Sequence, residues 1–89
     1  MPYFVYLLEC GGGSFYCGYT SDLTARVKEH SNGRGGKYTR SHRPVKLVYS
    51  EKMETRSKAM QREREIKKFS RKEKENLIEK GKKEKGKVP

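Results

Sequence analysis

The most apolar segment of the chain lies near its beginning. Residues 3–9 (YFVYLLE) are rich in aromatic, β-branched and other apolar side chains, the composition of a buried strand. Three glycines and a serine follow at 11–14, and glycine supplies the positive φ values that a tight hairpin turn needs. Residues 15–19 (FYCGY) predict a second strand, so the chain is expected to start with a β-hairpin.

The register of this hairpin decides whether Tyr6 and Tyr16 share a face of the sheet. Side chains alternate between the two faces, so a pairing whose residue numbers sum to an even value near 22 puts both tyrosines on one face, nearly opposite each other. An odd sum would put them on opposite faces. The sequence leaves both registers open.

A capped helix is predicted next, over residues 20–31, because Thr, Ser and Asp at its start are all good N-cap residues. Leu23 and Val27 are four residues apart and predict the stripe that faces the core. Arg26 and His30 have the same spacing and form a separate row beside that stripe.

Further along, the pattern changes from a glycine-rich basic loop at 33–44 to a third strand at 45–50 (VKLVYS). A helix is predicted over about 55–69, and the capping box SRKE at 70–73 starts a last helix, which runs through Ile78 and ends at Gly81. The element order is ββαβαα. It predicts an α+β fold in which helices flank a small antiparallel sheet.

The length of 89 residues allows one domain, expected at 1–80, followed by a flexible basic tail at 81–89. The longest apolar run, Phe4 to Leu8, is far shorter than the roughly 20 residues of a membrane-spanning helix. No secretory signal is recognisable at the start, so the sequence predicts a cytoplasmic protein without a membrane partner.

Charge is distributed unevenly along the chain, whose formal net charge is +11. Residues 1–32 contain two basic and three acidic side chains, whereas residues 33–89 contain twenty basic and eight acidic ones. Such a field attracts polyanions, nucleic acid first and anionic membrane second, although a solubilising surface is the plain alternative for the tail. The candidate nucleic-acid contacts are Arg34, Lys37, Arg40, His42, Arg43 and Lys46.

The two cysteines, Cys10 and Cys17, are too few for a disulfide framework. Together with His30 and His42 they form the pattern C-x6-C-x12-H-x11-H, which matches no common zinc-ligand spacing. Free thiols are the better interpretation.

Glu63 occupies an unusual position on the third turn of the helix predicted over 55–69. At 100° per residue it falls inside the apolar arc that contains Ala59 and Ile66, while Glu65 points the other way. A carboxylate on a buried stripe is unfavourable unless it is paired, hydrogen-bonded or bound to a cation. A side chain that reaches from the stripe to solvent, a structural ion pair with Arg26 or another base, or a metal site would each explain it.

The candidate side chains taken together suit phosphodiester hydrolysis. One carboxylate can hold a single Mg²⁺, and Arg26 can offset charge on a phosphate in the transition state. A tyrosine has an ordinary pKa of about 10, and nearby positive charge favours its phenolate. Tyrosines in a hairpin are, however, usually packing residues when each is considered alone.

Several motifs resemble the GIY-YIG nuclease superfamily: FVY and YCG with ten residues from Tyr6 to Tyr16, and SDLxxRxxxH after them. The stretches GKYTRSHRPVKLVYSE and AMQREREIKK resemble more narrowly its small stand-alone bacterial members of largely unassigned role. The resemblance covers about residues 2–80. It implies a three-stranded antiparallel sheet flanked by helices and hydrolysis of DNA with one Mg²⁺ or Mn²⁺.

Transferred position by position, the resemblance implies that Tyr6 is the general base, assisted by Tyr16, and that Arg26 stabilises the pentacovalent phosphate. The other implied roles are an accessory polar group at His30, a metal ligand at Glu63, close backbone approach at Gly18 and a late polar residue at Asn76. The sequence departs from the pattern, because the first motif lacks its leading glycine, Cys17 replaces isoleucine, and Tyr19 replaces a lysine found in several members.

Two other functions compete with the nuclease. The first is a non-catalytic basic module that binds DNA or RNA and keeps only the fold. The second is a basic RNA- or ribosome-associated protein, a role for which residues 71–87 would be suited. The missing lysine favours a binding module, whereas Tyr6, Tyr16, Arg26 and Glu63 together favour the nuclease, since a binder needs only charge. No appended recognition domain is evident, which also favours the binding module; a nuclease of this kind is expected to be non-specific, to recognise DNA structure, or to depend on a protein partner.

Overall fold

The computed structural model describes residues 2–86 and confirms the predicted α+β fold. The elements in chain order are β1 Tyr3–Cys10, β2 Phe15–Thr20, α1 Leu23–Ser31, α2 Lys37–Ser41, β3 Val45–Met53, α3 Arg56–Lys67 and α4 Arg71–Gly86. The three strands form one antiparallel sheet in the order β2-β1-β3. The central position of β1 explains why its sequence is the most apolar of the three.

The hairpin register places the two tyrosines on one face of the sheet. Tyr6 pairs with Gly18, and Leu8 pairs with Tyr16, so the paired numbers sum to an even value. The sum is slightly larger than the predicted value near 22. Tyr6 and Tyr16 are therefore diagonal neighbours, and Tyr6 faces a glycine across the ladder.

The sheet is covered by helices on both faces. Leu8 and Tyr6 pack with Leu23 and Val27 of α1, and this side is called the α1 face. On the other side, the α3 face, the buried residues of β1 and β2 pack with α3 and α4: Val5, Leu7, Cys17, Ala59, Ile66 and Ile78. Both cysteines are free and buried, Cys10 on the α1 face and Cys17 on the α3 face.

Local capping signals are confirmed in detail. Asp22 caps α1, because its Oδ1 accepts a hydrogen bond from the amide of Ala25. The predicted capping box is also formed: the Ser70 amide donates to Glu73 Oε1, and the Glu73 amide donates to Ser70 Oγ. These contacts lie within a few residues of each other, which is why the sequence predicts them.

Three boundaries differ from the prediction. The basic loop contains a short helix, α2, and β3 continues three residues further than expected. The predicted end of the last helix at Gly81 is wrong, since α4 continues to Gly86. A Cβ at Gly81 would lie 2.9 Å from the Tyr49 ring, so this glycine allows close packing of α4 on β3 rather than ending a helix. Residues 87–89 of the predicted tail lie outside the described residues.

Among the helices of the described residues, none is both long and apolar enough to cross a bilayer.

Candidate active site

A chain of buried hydrogen bonds crosses the α1 face. The Tyr6 hydroxyl lies 2.9 Å from Nε2 of His30, and Nδ1 of the same ring lies 2.8 Å from Oγ1 of Thr39. Thr39 Oγ1 can in turn donate to the Gly36 carbonyl at 3.5 Å. His30 and Thr39 are both 0% exposed. With Thr39 donating to Gly36, His30 Nδ1–H donates to Thr39 and Nε2 accepts from Tyr6.

The protonation states follow from burial. Burial lowers the pKa of His30, and the nearby charge of Arg26 lowers it further, so the imidazole is neutral at pH 7. Burial also raises the pKa of Tyr6 to about 12. Arg26 acts on Tyr6 in the expected direction, favouring the phenolate, but the desolvation caused by burial is larger. Tyr6 is therefore a protonated phenol that donates to a neutral imidazole.

Arg26 stands beside this pair and remains accessible. Its side chain is 33% exposed, and Nη2 donates to the Gly35 carbonyl at 3.2 Å. A weaker contact of 3.7 Å joins Nη1 to Glu29 one turn later on α1. The guanidinium is thus oriented by the loop while part of it can still meet an anion.

Two glycines make room for the central rings. A Cβ at Gly18 would lie 2.5 Å from the Tyr6 hydroxyl oxygen, and a Cβ at Gly35 would overlap the His30 ring. Neither position can take a side chain without displacing a ring. The glycine of the second sequence motif is therefore required by the Tyr6 hydroxyl that it faces.

Tyr16 completes the α1-face cluster. Its ring centroid lies 5.2 Å from that of His30, with the planes tilted by 57°. The structure thus brings Tyr6, Tyr16, Arg26 and His30 together, as the sequence motifs predict.

Glu63 belongs to the other layer of the molecule. Its backbone carbonyl lies 3.9 Å from Cys17 Sγ, which points to the α3 face, and its Oε1 lies 3.4 Å from Nζ of Lys67. The side chain is only 16% exposed, which agrees with its predicted inward position. Within residues 2–86 no hydrogen bond or ion pair joins Glu63 to the tyrosines, Arg26 or His30. Its role as a metal ligand stays a prediction.

The helix that carries Glu63 is held by an ion-paired network. Arg62 donates from Nε and Nη2 to the Glu51 carboxylate on β3, at 3.0–3.2 Å, and Nη1 contacts Glu65 at 3.2 Å. The Arg62 guanidinium also lies 5.8 Å from the centre of the Phe69 ring. These contacts fix the orientation of α3 on the sheet.

The donor set fits one kind of metal site. In the part of the chain that the structure describes, no group of three or more His, Cys, Asp and Glu side chains lies close enough to hold an ion. A single half-buried carboxylate suits Mg²⁺, which keeps several waters and is commonly bound by one or two carboxylates together with substrate phosphate. A tetrahedral zinc site would need more ligands.

The predicted nucleic-acid contacts line the segment around α2. The five cations among them are called the α2 cations; all are exposed, and none forms an ion pair within the described residues: Arg34, Lys37, Arg40, Arg43 and Lys46. His42 is half-buried and bonds through Nδ1 to the Tyr38 carbonyl at 2.7 Å.

Two residues of the site were missed in the sequence, Thr39 and Tyr38. Thr39 is nine residues from the His30 ring that it contacts, and Tyr38 lies near Tyr16 on another element. The only available signal was their place in the stretch GKYTRSHRP, which resembles the stand-alone bacterial members, because the loop has no periodicity that would mark an inward side chain.

Known proteins resemble the chain over nearly its whole length. The family model of the GIY-YIG catalytic domain matches residues 2–76. The UPF0213 protein SERP0126 of Staphylococcus epidermidis is 49% identical over 79 residues, covering 89% of this chain and 96% of the relative. The solution NMR structure of the UPF0213 protein BH0048 from Bacillus halodurans has a TM-score of 0.59 and 45% identity, covering 91% of this chain and 87% of that one. The solution NMR structure of the protein EF2693 from E. faecalis has a TM-score of 0.61 and 43% identity, covering 90% of this chain and 85% of that one.

Proposed function

The chain belongs to the GIY-YIG family, within its UPF0213 group, and from this membership we propose that it hydrolyses phosphodiester bonds in DNA with the help of one divalent metal ion. The observation that supports this proposal most directly is the buried hydrogen bond between Tyr6 and a neutral His30, beside an accessible Arg26. A protein that only binds nucleic acid has no need of a desolvated phenol–imidazole pair.

The Tyr6–His30 pair provides a path for the proton of the attacking water. The Tyr6 oxygen accepts a proton from water as its own proton passes to Nε2 of His30, so no free phenolate has to form. The imidazolium that results donates through Nδ1 to Thr39, which keeps the ring in the required orientation. This relay avoids a free phenolate, which the pKa of about 12 disfavours, and it forms instead an imidazolium at His30, which burial and the charge of Arg26 disfavour.

The reaction also requires that the negative charge on the phosphate be stabilised in the transition state. Arg26 would bind a non-bridging phosphate oxygen and stabilise the pentacovalent transition state, while Tyr16 contacts the phosphate from the same face. Mg²⁺ or Mn²⁺ held by Glu63 would supply further charge neutralisation. For this, Glu63 would exchange its ion pair with Lys67 for the ion.

A non-catalytic module that binds DNA or RNA is the second candidate function. The observation in its favour is the location of Glu63, whose carboxylate pairs with Lys67 in the layer opposite Tyr6. In that case the Glu63–Lys67 pair is structural, and the α2 cations account for all of the affinity.

The two functions are separated by incubating the purified protein with DNA in Mg²⁺, in Mn²⁺ and in EDTA. We expect nicking or degradation that requires the metal ion and co-elutes with the protein. Binding without any cleavage, in either metal, would leave only the non-catalytic module.

Salt dependence locates the binding surface. Replacing Lys37, Arg40 and Arg43 by alanine is expected to lower the slope of log Kd against log salt concentration by about 2 to 3, since each phosphate contact releases counterions. Fluorescence anisotropy of labelled DNA at several salt concentrations measures this slope.

A matched variant replaces Lys68, Lys72 and Lys80, which are exposed cations outside the α2 segment, and it has the same net charge. We expect this variant to keep the wild-type slope. Equal slopes for both triple variants would move the binding surface away from α2.

A further inference from the structure

An aromatic stack reaches the surface beside the candidate active site. The ring of Tyr38 on α2 lies nearly parallel to the imidazole of His42, with centroids 4.1 Å apart and planes 12° apart. Tyr16 extends the stack from β2, at 6.1 Å and 21° from Tyr38. Tyr38 is 41% exposed, which makes it the one exposed large hydrophobic side chain among the described residues. Tyr16 joins this stack to the α1-face cluster of Tyr6, Arg26 and His30.

The stack is held in place by hydrogen bonds at both ends. The Tyr38 hydroxyl donates to Ser14 Oγ in the β1–β2 turn at 2.6 Å, and His42 Nδ1–H donates to the Tyr38 carbonyl at 2.7 Å. The rings therefore do not have to be ordered when a ligand binds, which lowers the entropic cost of binding.

Cations lie close to the stack along the chain, and none of them forms an ion pair within the described residues. Lys37 and Arg40 flank Tyr38 in α2, and the chain contains no acidic residue between Glu29 and Glu51. An open groove of about 460 Å³ is lined by Arg40 and Arg43 with the hydroxyls of Ser31 and Ser41. Cations and hydroxyls are the groups that contact phosphate oxygens in nucleic-acid complexes.

We propose that the Tyr16–Tyr38–His42 stack is a subsite for an unpaired base of single-stranded DNA, adjacent to the phosphate that is cleaved. The proposal rests on the proposed function, because Tyr16 belongs to both sites. Bases of a duplex are already stacked on their neighbours, whereas a single strand offers free π-faces to an aromatic platform. The α2 cations then hold the phosphates on either side of the stacked base.

The test measures binding in EDTA, where no cleavage interferes, by fluorescence anisotropy. The probes are a short labelled oligothymidylate, a strand of the same length with abasic sites in place of the bases, and a duplex. Replacing Tyr38 by Ala or Leu is expected to weaken binding of the oligothymidylate about 5- to 100-fold and to leave the abasic strand and the duplex unchanged. Tyr38→Phe keeps the ring but loses the hydrogen bond to Ser14, so it should retain most of the affinity that Ala and Leu lose.

Thermal unfolding checks that each variant is folded, and Leu retains apolar bulk without a π-face. No loss of affinity, or an equal loss for the normal and abasic strands, would overturn the stacking subsite. Tighter binding of a matched oligouridylate would overturn its assignment to DNA. The binding assay needs no metal ion. Failure to cleave DNA would therefore contradict the nuclease proposal and leave the binding test of the stacking subsite unaffected.

Discussion

Glu63→Gln is expected to lower the rate of DNA cleavage by about 10³-fold or more while DNA binding is retained. The amide is nearly the same size as the carboxylate but is a poor ligand for Mg²⁺, and a catalytic metal ion contributes several kcal/mol of charge stabilisation in the transition state. Removing one negative charge should leave affinity for DNA unchanged or slightly higher. Single-turnover cleavage and anisotropy measurements on the same preparation test both parts.

Glu65→Gln is the matched control, since Glu65 lies two residues away on α3 and is exposed. It should cleave like the wild type, with a small loss of stability from its surface pair with Arg62. If Glu63→Gln cleaves as fast as this control, Glu63 is not the metal ligand and its pair with Lys67 is structural.

Tyr6→Phe is expected to lower cleavage by about 10²- to 10⁴-fold, the usual range for loss of a positioned general base. The ring still fills the space above Gly18, so the α1 face stays packed. Nε2 of buried His30 loses its partner, which destabilises the fold by about 1–3 kcal/mol. For a domain of this size each kcal/mol lowers Tm by about 4–8 °C.

Measuring both the cleavage rate and Tm separates an effect on the chemistry from an effect on folding. Tyr3→Phe on the same strand faces the opposite side of the sheet and should change neither cleavage nor Tm. Assays of Tyr6→Phe well below its measured Tm ensure that the enzyme is folded. Cleavage within threefold of the wild-type rate would show that the Tyr6 hydroxyl is not in the proton path.

Interactions between neighbours in the chain could be predicted from the sequence. The buried composition of β1, the glycine turn, the Asp22 cap and the Ser70–Glu73 capping box each depend on side chains and backbone atoms a few residues apart. The inward position of Glu63 follows in the same way from the period of one helix.

Contacts between distant segments could not be predicted in this way. The Tyr6–His30 bond spans 24 positions, and Tyr16 shares the face of Tyr6 only because of a hairpin register that the sequence left open. Thr39 reaches His30 only because the basic loop folds into α2, and no amphipathic pattern in the sequence predicts that helix.

The amino-acid sequence by itself therefore determined the order of the elements other than α2, the row that holds Arg26 and His30, and the concentration of cations after residue 33. Periodicity and composition are local properties of the chain, and they are sufficient to predict these three features. Tertiary structure alone decided which groups meet and which are desolvated: the phenol of Tyr6 is buried against a neutral imidazole, Tyr38 stacks in line with Tyr16 at the surface, and Glu63 lies in the opposite layer. Desolvation depends on every element packed around a group, so it exists only once the sheet and both helical layers are assembled.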